Sequence, residues 1–126
     1  MRRSALALSA SAFLIVASAA CATAQAADPE RGRALYESRC SGCHSIDQDR
    51  IGPRQRGVVG RKAGAVAGFE YSPALRASRI VWDAKTLDAW LANPERLIPG
   101  QRMNYSVPDG ADRAALIAYL EANSGP

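Results

Sequence analysis

The sequence predicts a small all-α fold in which three main helices are joined by loops. Apolar side chains recur at the i, i+3, i+4 spacing of a helix in three separate stretches. No stretch alternates apolar and polar residues in the way that a half-buried strand does. The chain has 126 residues, which is enough for one domain at most.

The beginning of the chain has the three parts of a secretory signal peptide. Two arginines follow the first methionine, residues 5–20 carry no charge, and an A-x-A cleavage site ends at Ala26. We therefore expect residues 1–26 to be removed on export, and residues 27–126 to form a single domain in the periplasm. A retained membrane anchor and lipidation of Cys21 are the alternatives, although the residues before Cys21 lack the leucine of a bacterial lipoprotein signal.

The charge of the mature chain is too small to indicate a nucleic-acid partner. The formal net charge of +4 falls to +2 without the two arginines of the leader, and no basic run interleaves with aromatic residues. After processing we expect a monomer with no stable membrane insertion.

Each predicted helix begins with its own signal. Asp28, Asp83 and Asp109 are the expected N-caps, and Asp112 follows the last of them at the spacing of a capping box. Pro94 is expected to end the second helix. The apolar faces comprise Gly32, Leu35 and Tyr36, then Leu87, Trp90 and Leu91, and finally Leu116, Tyr119 and Leu120.

Between Ser45 and Ile80 the helical pattern disappears, and glycines punctuate the chain instead. A loop of this length is unusual in a compact domain. It becomes reasonable if the loop surrounds a group that is not protein.

Cys40, Cys43 and His44 form a C-x-x-C-H motif, which is a c-type haem attachment site. The two thiols add to the two vinyl groups of the haem as thioethers, and the next histidine reaches the iron. A thioredoxin-like redox pair would need a βαβ pattern, and a structural zinc site would need a fourth ligand. We therefore predict one haem c, attached covalently through Cys40 and Cys43, with His44 as an iron ligand.

The second axial ligand follows by elimination. His44 is the only histidine, and Met103 is the only methionine left after the leader is removed. Methionine and histidine are common axial partners of haem iron. Met103 lies in a polar turn, which favours a ligand over its alternative role as a filler of gaps in the core. An open or lysine-ligated iron is the remaining alternative.

Seven segments together resemble the class I cytochromes c of mitochondria and bacterial periplasms. They are, in chain order, residues 40–44, 51–53, 60–64, 68–72, 80–82, 93–94 and 98–103. The resemblance implies that the carbonyl of Pro53 accepts a hydrogen bond from the His44 ring. It also implies that Arg61, Tyr71 and Trp82 hydrogen-bond or neutralise the haem propionates. Alternatively, the two aromatic residues belong to the core and the arginine is a solvated surface charge.

The chain departs from the family pattern on the methionine side. Trp90 stands where the family usually has a tyrosine, and its indole can donate but not accept a hydrogen bond. Gln101 replaces a usual threonine and Leu75 a usual asparagine in the same network, whereas Glu95 stands where a lysine is common near the haem edge. The sequence therefore does not predict the usual hydrogen-bond network around the methionine.

The resulting functional prediction is a one-electron carrier and not an enzyme, because an iron with two protein ligands has no room for substrate. The alternatives are a haem c subunit of a larger redox enzyme, and a small haem peroxidase or sensor with a labile sixth ligand. The expected partners are redox proteins: a membrane cytochrome complex, a terminal oxidase, a reaction centre or a periplasmic dehydrogenase. Five cations expected near the haem edge would steer acidic partners unless nearby acids dilute them. These are Arg39, Arg50, Arg56, Lys62 and Arg102.

Overall fold

The computed structural model describes residues 26–125, and these are helical with no named strand. The predicted leader lies outside the described residues except for its last residue. The helices are α1 (Pro29–Arg39), α2 (Pro73–Ala77), α3 (Ala84–Ala92), α4 (Pro94–Leu97) and α5 (Gly110–Ala122). One isolated bridge, between Lys62 and Val81, is the only β pairing in this part of the chain. The predicted all-α class is confirmed, and α1, α3 and α5 are its three main helices.

Helices α1 and α5 cross at Gly32, which is buried. A Cβ atom at this position would lie 1.9 Å from the carbonyl oxygen of Ala115 and 2.9 Å from Cβ of Tyr119. The glycine therefore allows the two backbones to approach. One turn further on, the rings of Tyr36 and Tyr119 pack at 5.3 Å between centroids.

The ends of α3 and α4 follow from local capping. Asp83 and Thr86 form a reciprocal capping box at the start of α3. Pro94 ends α3 as predicted, and it also begins α4, for which Asn93 is the N-cap. None of the helices within residues 26–125 is long and apolar enough to cross a membrane.

Asp112 joins α5 to α1, a function that its spacing from Asp109 did not predict. Its backbone N–H donates to the Asp109 side chain at 2.8 Å, as a capping box requires. Its own carboxylate, however, forms ion pairs with Arg31 and with Arg39, the second at 3.1 Å. The carboxylate is buried at the crossing of the two helices. From this position it binds the two arginines of α1 and not the backbone N–H of the N-cap residue.

We expect Asp112→Ala to lower the free energy of unfolding by about 1–2 kcal/mol. Hydrogen bonds to charged groups contribute about 1.5–3 kcal/mol to stability. Part of this loss is recovered because the released arginines form hydrogen bonds to water. Glu37→Ala is the matched control, because Glu37 pairs with Arg33 in an exposed i, i+4 bridge, and an exposed ion pair contributes little to stability. Guanidinium unfolding followed by circular dichroism distinguishes the two variants. Equal losses would mean that Asp112 contributes no more than a surface charge.

The long loop is ordered around the core, and it contains the short helix α2, which the sequence pattern did not predict. Ser72 caps α2, its side chain accepting from the N–H of Leu75 at 3.2 Å, and Pro73 occupies the first position. Backbone hydrogen bonds donated by Gly60 and Ala63 join the loop to the segment that precedes α3. It thereby forms one wall of the cavity described next.

Candidate haem site

A cavity of about 490 Å³ lies between the main helices and the long loop. This volume falls in the range of about 300–1,000 Å³ typical of pockets that bury a small molecule. All eight residues predicted as site residues line it. They are Cys40, Cys43, His44, Pro53, Arg61, Tyr71, Trp82 and Met103. The fold thus brings together residues that are up to 63 positions apart in the sequence.

His44 is oriented by the backbone of the loop. Its ring nitrogen Nδ1 lies 2.8 Å from the carbonyl oxygen of Pro53. Because a carbonyl oxygen can only accept, Nδ1 carries the hydrogen and Nε2 keeps its lone pair. Burial lowers the pKa of His44, and the bond to Pro53 opposes this effect only in part. The ring is therefore neutral, which is the form that binds a metal.

Gly52 lies against the same ring. A Cβ atom here would lie 2.2 Å from Cε1 of His44 and 2.6 Å from Nδ1. Any larger residue would push the imidazole out of its position. The adjacent residues Gly52 and Pro53 thus fix both the place and the tautomer of His44.

Gln55 also contacts His44, which the sequence did not predict. Its carboxamide lies 2.8 Å from Nδ1. Since Nδ1 already carries the hydrogen that it donates to Pro53, the favourable orientation of the carboxamide presents its oxygen to the ring, because the amide nitrogen can only donate. A lone glutamine in a loop has no spacing that would single it out; only its position two residues after Pro53 hints at the contact.

The two cysteines lie in the turn that directly follows α1. The N–H groups of Cys43 and His44 donate to the carbonyl of Cys40 at 3.1 and 2.8 Å, which brings all three side chains to the cavity. Both thiols are free. Burial raises the pKa of Cys40 to about 11, whereas Cys43 is exposed. Within residues 26–125 no group of three or more Cys, His, Asp or Glu side chains is placed to hold a bare metal ion.

Arg61 and Tyr71 place hydrogen-bond donors at the cavity. The Arg61 guanidinium donates to the carbonyls of Arg54 and Arg56, both at 2.9 Å, and burial lowers its pKa. The Tyr71 hydroxyl accepts from the N–H of Val66 at 3.1 Å, and its own hydrogen remains available. Burial raises the pKa of Tyr71, so the hydroxyl keeps this hydrogen. These two groups suit a ligand with carboxylates.

Two of the residues that depart from the family pattern, Trp90 and Leu75, line the cavity. Trp90 is buried and packs against Trp82 at 5.3 Å between ring centroids, and Leu75 lies nearby in the lining. Gln101 is buried but does not line this cavity. The donor set as a whole fits haem c: two free thiols, a neutral imidazole and the thioether of Met103 meet at one apolar cavity.

The predicted basic patch is weaker than a count of cations suggests. Arg39 is paired with Asp112, and Arg56 with Asp47 at 2.5 Å. Arg102 is exposed and lines the cavity. Since two of the five cations are neutralised within the chain, steering of acidic partners would depend mainly on the other three.

An all-α fold with a C-x-x-C-H motif beside an apolar cavity defines a c-type haem protein. The family model for Cytochrome c matches residues 29–124, and this chain belongs to the cytochrome c family. It is 42% identical over 102 residues to cytochrome c 2.1 of Caenorhabditis elegans, covering 79% of this chain and 92% of that one. Cytochrome c2 of Rhodomicrobium vannielii is 38% identical over 104 residues, which cover 79% and 82% of the two chains.

A solved structure shows the same fold. Cytochrome cH from Methylobacterium extorquens superposes with a TM-score of 0.72 at 35% identity, over 75% of this chain and 98% of that one. The resemblance to class I cytochromes c is therefore confirmed. Members of this family are electron carriers with covalently bound haem and not enzymes, which agrees with the predicted cofactor and class of function.

Proposed function

We propose that residues 27–126, released from a signal peptide over residues 1–26, form a periplasmic electron carrier with one haem c. In this proposal Cys40 and Cys43 hold the haem through thioethers, and His44 and Met103 are the axial ligands of its iron. The observation that carries the proposal is that both thiols, the oriented imidazole and the lone methionine of the mature chain line one cavity.

Residues of the chain would orient and tune the two groups that bind the iron. Pro53 holds the Nδ1 hydrogen of His44, so Nε2 is the coordinating atom and its basicity is raised. The soft sulfur of Met103 would favour the reduced iron and so raise the potential. Haem c supplies a reversible one-electron change at iron when it is bound.

Three hydrogen-bond donors of the cavity lining would hold the two propionates. A buried carboxylate without a partner is costly. Arg61 offers a charge that its two backbone contacts keep in place, Tyr71 offers its free hydroxyl hydrogen, and Trp82 offers an indole N–H.

A carrier of this kind exchanges electrons with other redox proteins. With His44 and Met103 both bound to it, the iron would have no open site for substrate, so the chain would act as a shuttle. The partner would be a membrane cytochrome complex, a terminal oxidase, a reaction centre or a periplasmic dehydrogenase. The exposed Arg102 at the cavity contributes a positive charge for an acidic partner.

Absorption spectra before and after acid-acetone extraction test the covalent attachment. We expect the haem of the exported wild type to stay with the protein, and that of a Cys40→Ala, Cys43→Ala double variant to be extracted. Release from the wild type would refute attachment through these two thiols. The mass of the exported chain tests the leader, because cleavage after Ala26 predicts a mature chain that begins at Ala27.

The same wild-type sample tests the axial ligands. A ferric protein with a Met103–iron bond shows a methionine-to-iron charge-transfer band, which disappears when the methionine is displaced. A ferric spectrum without this band would overturn the proposed ligation while leaving the haem attachment intact.

A further inference from the structure

The turn that carries Met103 lies between α4 and α5 and belongs to neither helix. Two of its residues, Gly100 and Asn104, have positive φ angles of 88° and 50°. Asparagine tolerates this left-handed backbone better than most residues do, but it is still an uncommon conformation. The position of Met103 therefore depends on the hydrogen bonds that hold this turn.

Glu95, in α4, supplies two of these bonds. One carboxylate oxygen accepts from the backbone N–H of Gly100 at 3.0 Å, and the other accepts from the side-chain amide of Gln101 at 3.1 Å. Both bonds lower the pKa of Glu95, the one from Gln101 more strongly, so the group is a carboxylate at neutral pH. Hydrogen bonds to an ionised acceptor are roughly twice as strong as neutral ones.

Gln101 extends this constraint past Met103. It is buried, with 6% of its surface exposed. Its carboxamide oxygen accepts from the N–H of Asn104 at 2.9 Å, and its nitrogen donates to the Asn104 side chain at 2.7 Å. Residues on both sides of Met103 are thus bonded to each other and, through Glu95, to α4.

An acidic residue in the first turn of a helix often interacts only with the helix dipole. Glu95 has a different role, because both of its oxygens are bonded to the turn that carries Met103. Helix α4 is capped independently by Asn93, whose side chain accepts from the N–H of Arg96 at 3.0 Å. The contacts of Glu95 therefore serve the turn more than the helix.

We infer that Glu95 is a positioning residue, which acts through Gln101 and Asn104 to keep Met103 on the iron. These three residues form what we call the Glu95 latch. The inference rests on the proposed ligation by Met103 and goes beyond it by naming the contacts that keep the ligand in place. When the latch is intact, an external ligand must displace the methionine. Loosening it raises the fraction of molecules with an open sixth position, and the apparent affinity for an external ligand rises by the same factor.

Imidazole binding to the haem-loaded ferric protein tests this inference. In Glu95→Ala, which removes both acceptors, we expect the apparent affinity for imidazole to rise about tenfold and the methionine charge-transfer band to weaken. Glu95→Gln retains one oxygen for the Gly100 N–H but cannot accept from the Gln101 amide, so it should lie between Glu95→Ala and the wild type. Glu121→Ala, which removes an exposed glutamate of α5, is the matched control and should behave as the wild type.

The outcomes separate this inference from the proposed function. A wild type without the charge-transfer band would refute the Met103 ligation, and the latch with it. A wild type with the band, together with a Glu95→Ala variant whose imidazole affinity equals that of Glu121→Ala, would refute the latch alone. A purely structural role of Glu95 would lower the guanidinium midpoint without changing imidazole binding, and this result would also overturn the inference.

Discussion

The Gly32→Ala variant is expected to lose about 3 kcal/mol of its free energy of unfolding, the upper end of the usual range for an overpacked site. The added Cβ would lie 1.9 Å from the carbonyl oxygen of Ala115 and 2.6 Å from its carbonyl carbon. These are backbone atoms in the middle of α5, so no change of rotamer relieves the clash. The two helices must separate, which also disturbs the packing of Tyr36 against Tyr119. The whole free energy of unfolding of a native domain is only about 5–15 kcal/mol, so the loss is large.

Guanidinium unfolding of the haem-loaded variants, followed by circular dichroism, measures this loss. Gly110→Ala is the matched control, since Gly110 begins α5 and a Cβ there meets nothing closer than an Arg113 side-chain nitrogen at 3.5 Å. Alanine should be neutral or stabilising there by about 0.4–1 kcal/mol, because it restricts the unfolded chain. If Gly32→Ala unfolded at the same denaturant concentration as Gly110→Ala, the close crossing of α1 and α5 would not be the contact that holds the fold.

The main helices could be predicted from sequence because their signals are local. Asp28, Asp83 and Asp109 each cap a helix where the pattern placed one. The short helices were missed for a physical reason. Helix α2 has five residues and α4 has four, too few for an apolar face to repeat and too few to be stable alone. They depend on the surrounding loops and on the caps Ser72 and Asn93.

The site residues could be proposed from sequence because haem chemistry requires particular side chains at particular spacings. Side chains that pair with residues distant in the sequence have no characteristic spacing. Asp112 was expected to bond within its own helix turn, yet it pairs with Arg31 and Arg39 on α1. Gln101 was considered only as a replacement on the methionine side, yet it bonds to Glu95. In each case the partner is decided by tertiary packing, which a single sequence does not display.

A second large effect is expected at Met103, the proposed sixth ligand of the haem iron. Leucine has nearly the same volume, so Met103→Leu keeps the packing and removes only the sulfur. We expect the charge-transfer band to disappear and the midpoint potential to fall by on the order of 0.1 V, a fraction of the roughly 0.8 V over which axial ligands tune haem. The direction follows because methionine stabilises the reduced iron.

External ligands should respond even more strongly in Met103→Leu. If the sulfur occupies the iron in about 99% of wild-type molecules, the apparent affinity for imidazole is reduced about 100-fold, and the variant should regain this factor. Leu97→Met, the reverse exchange in the neighbouring helix α4, is the matched control and should keep the wild-type band and potential. A Met103→Leu variant whose absorption spectrum and potential equal those of the wild type would exclude Met103 as the ligand. The iron would then be open or bound by another group, and the peroxidase or sensor alternative would become the better explanation. A gain in imidazole affinity together with a lower potential would instead mean that Met103 is what closes the iron to substrate and makes this chain a carrier.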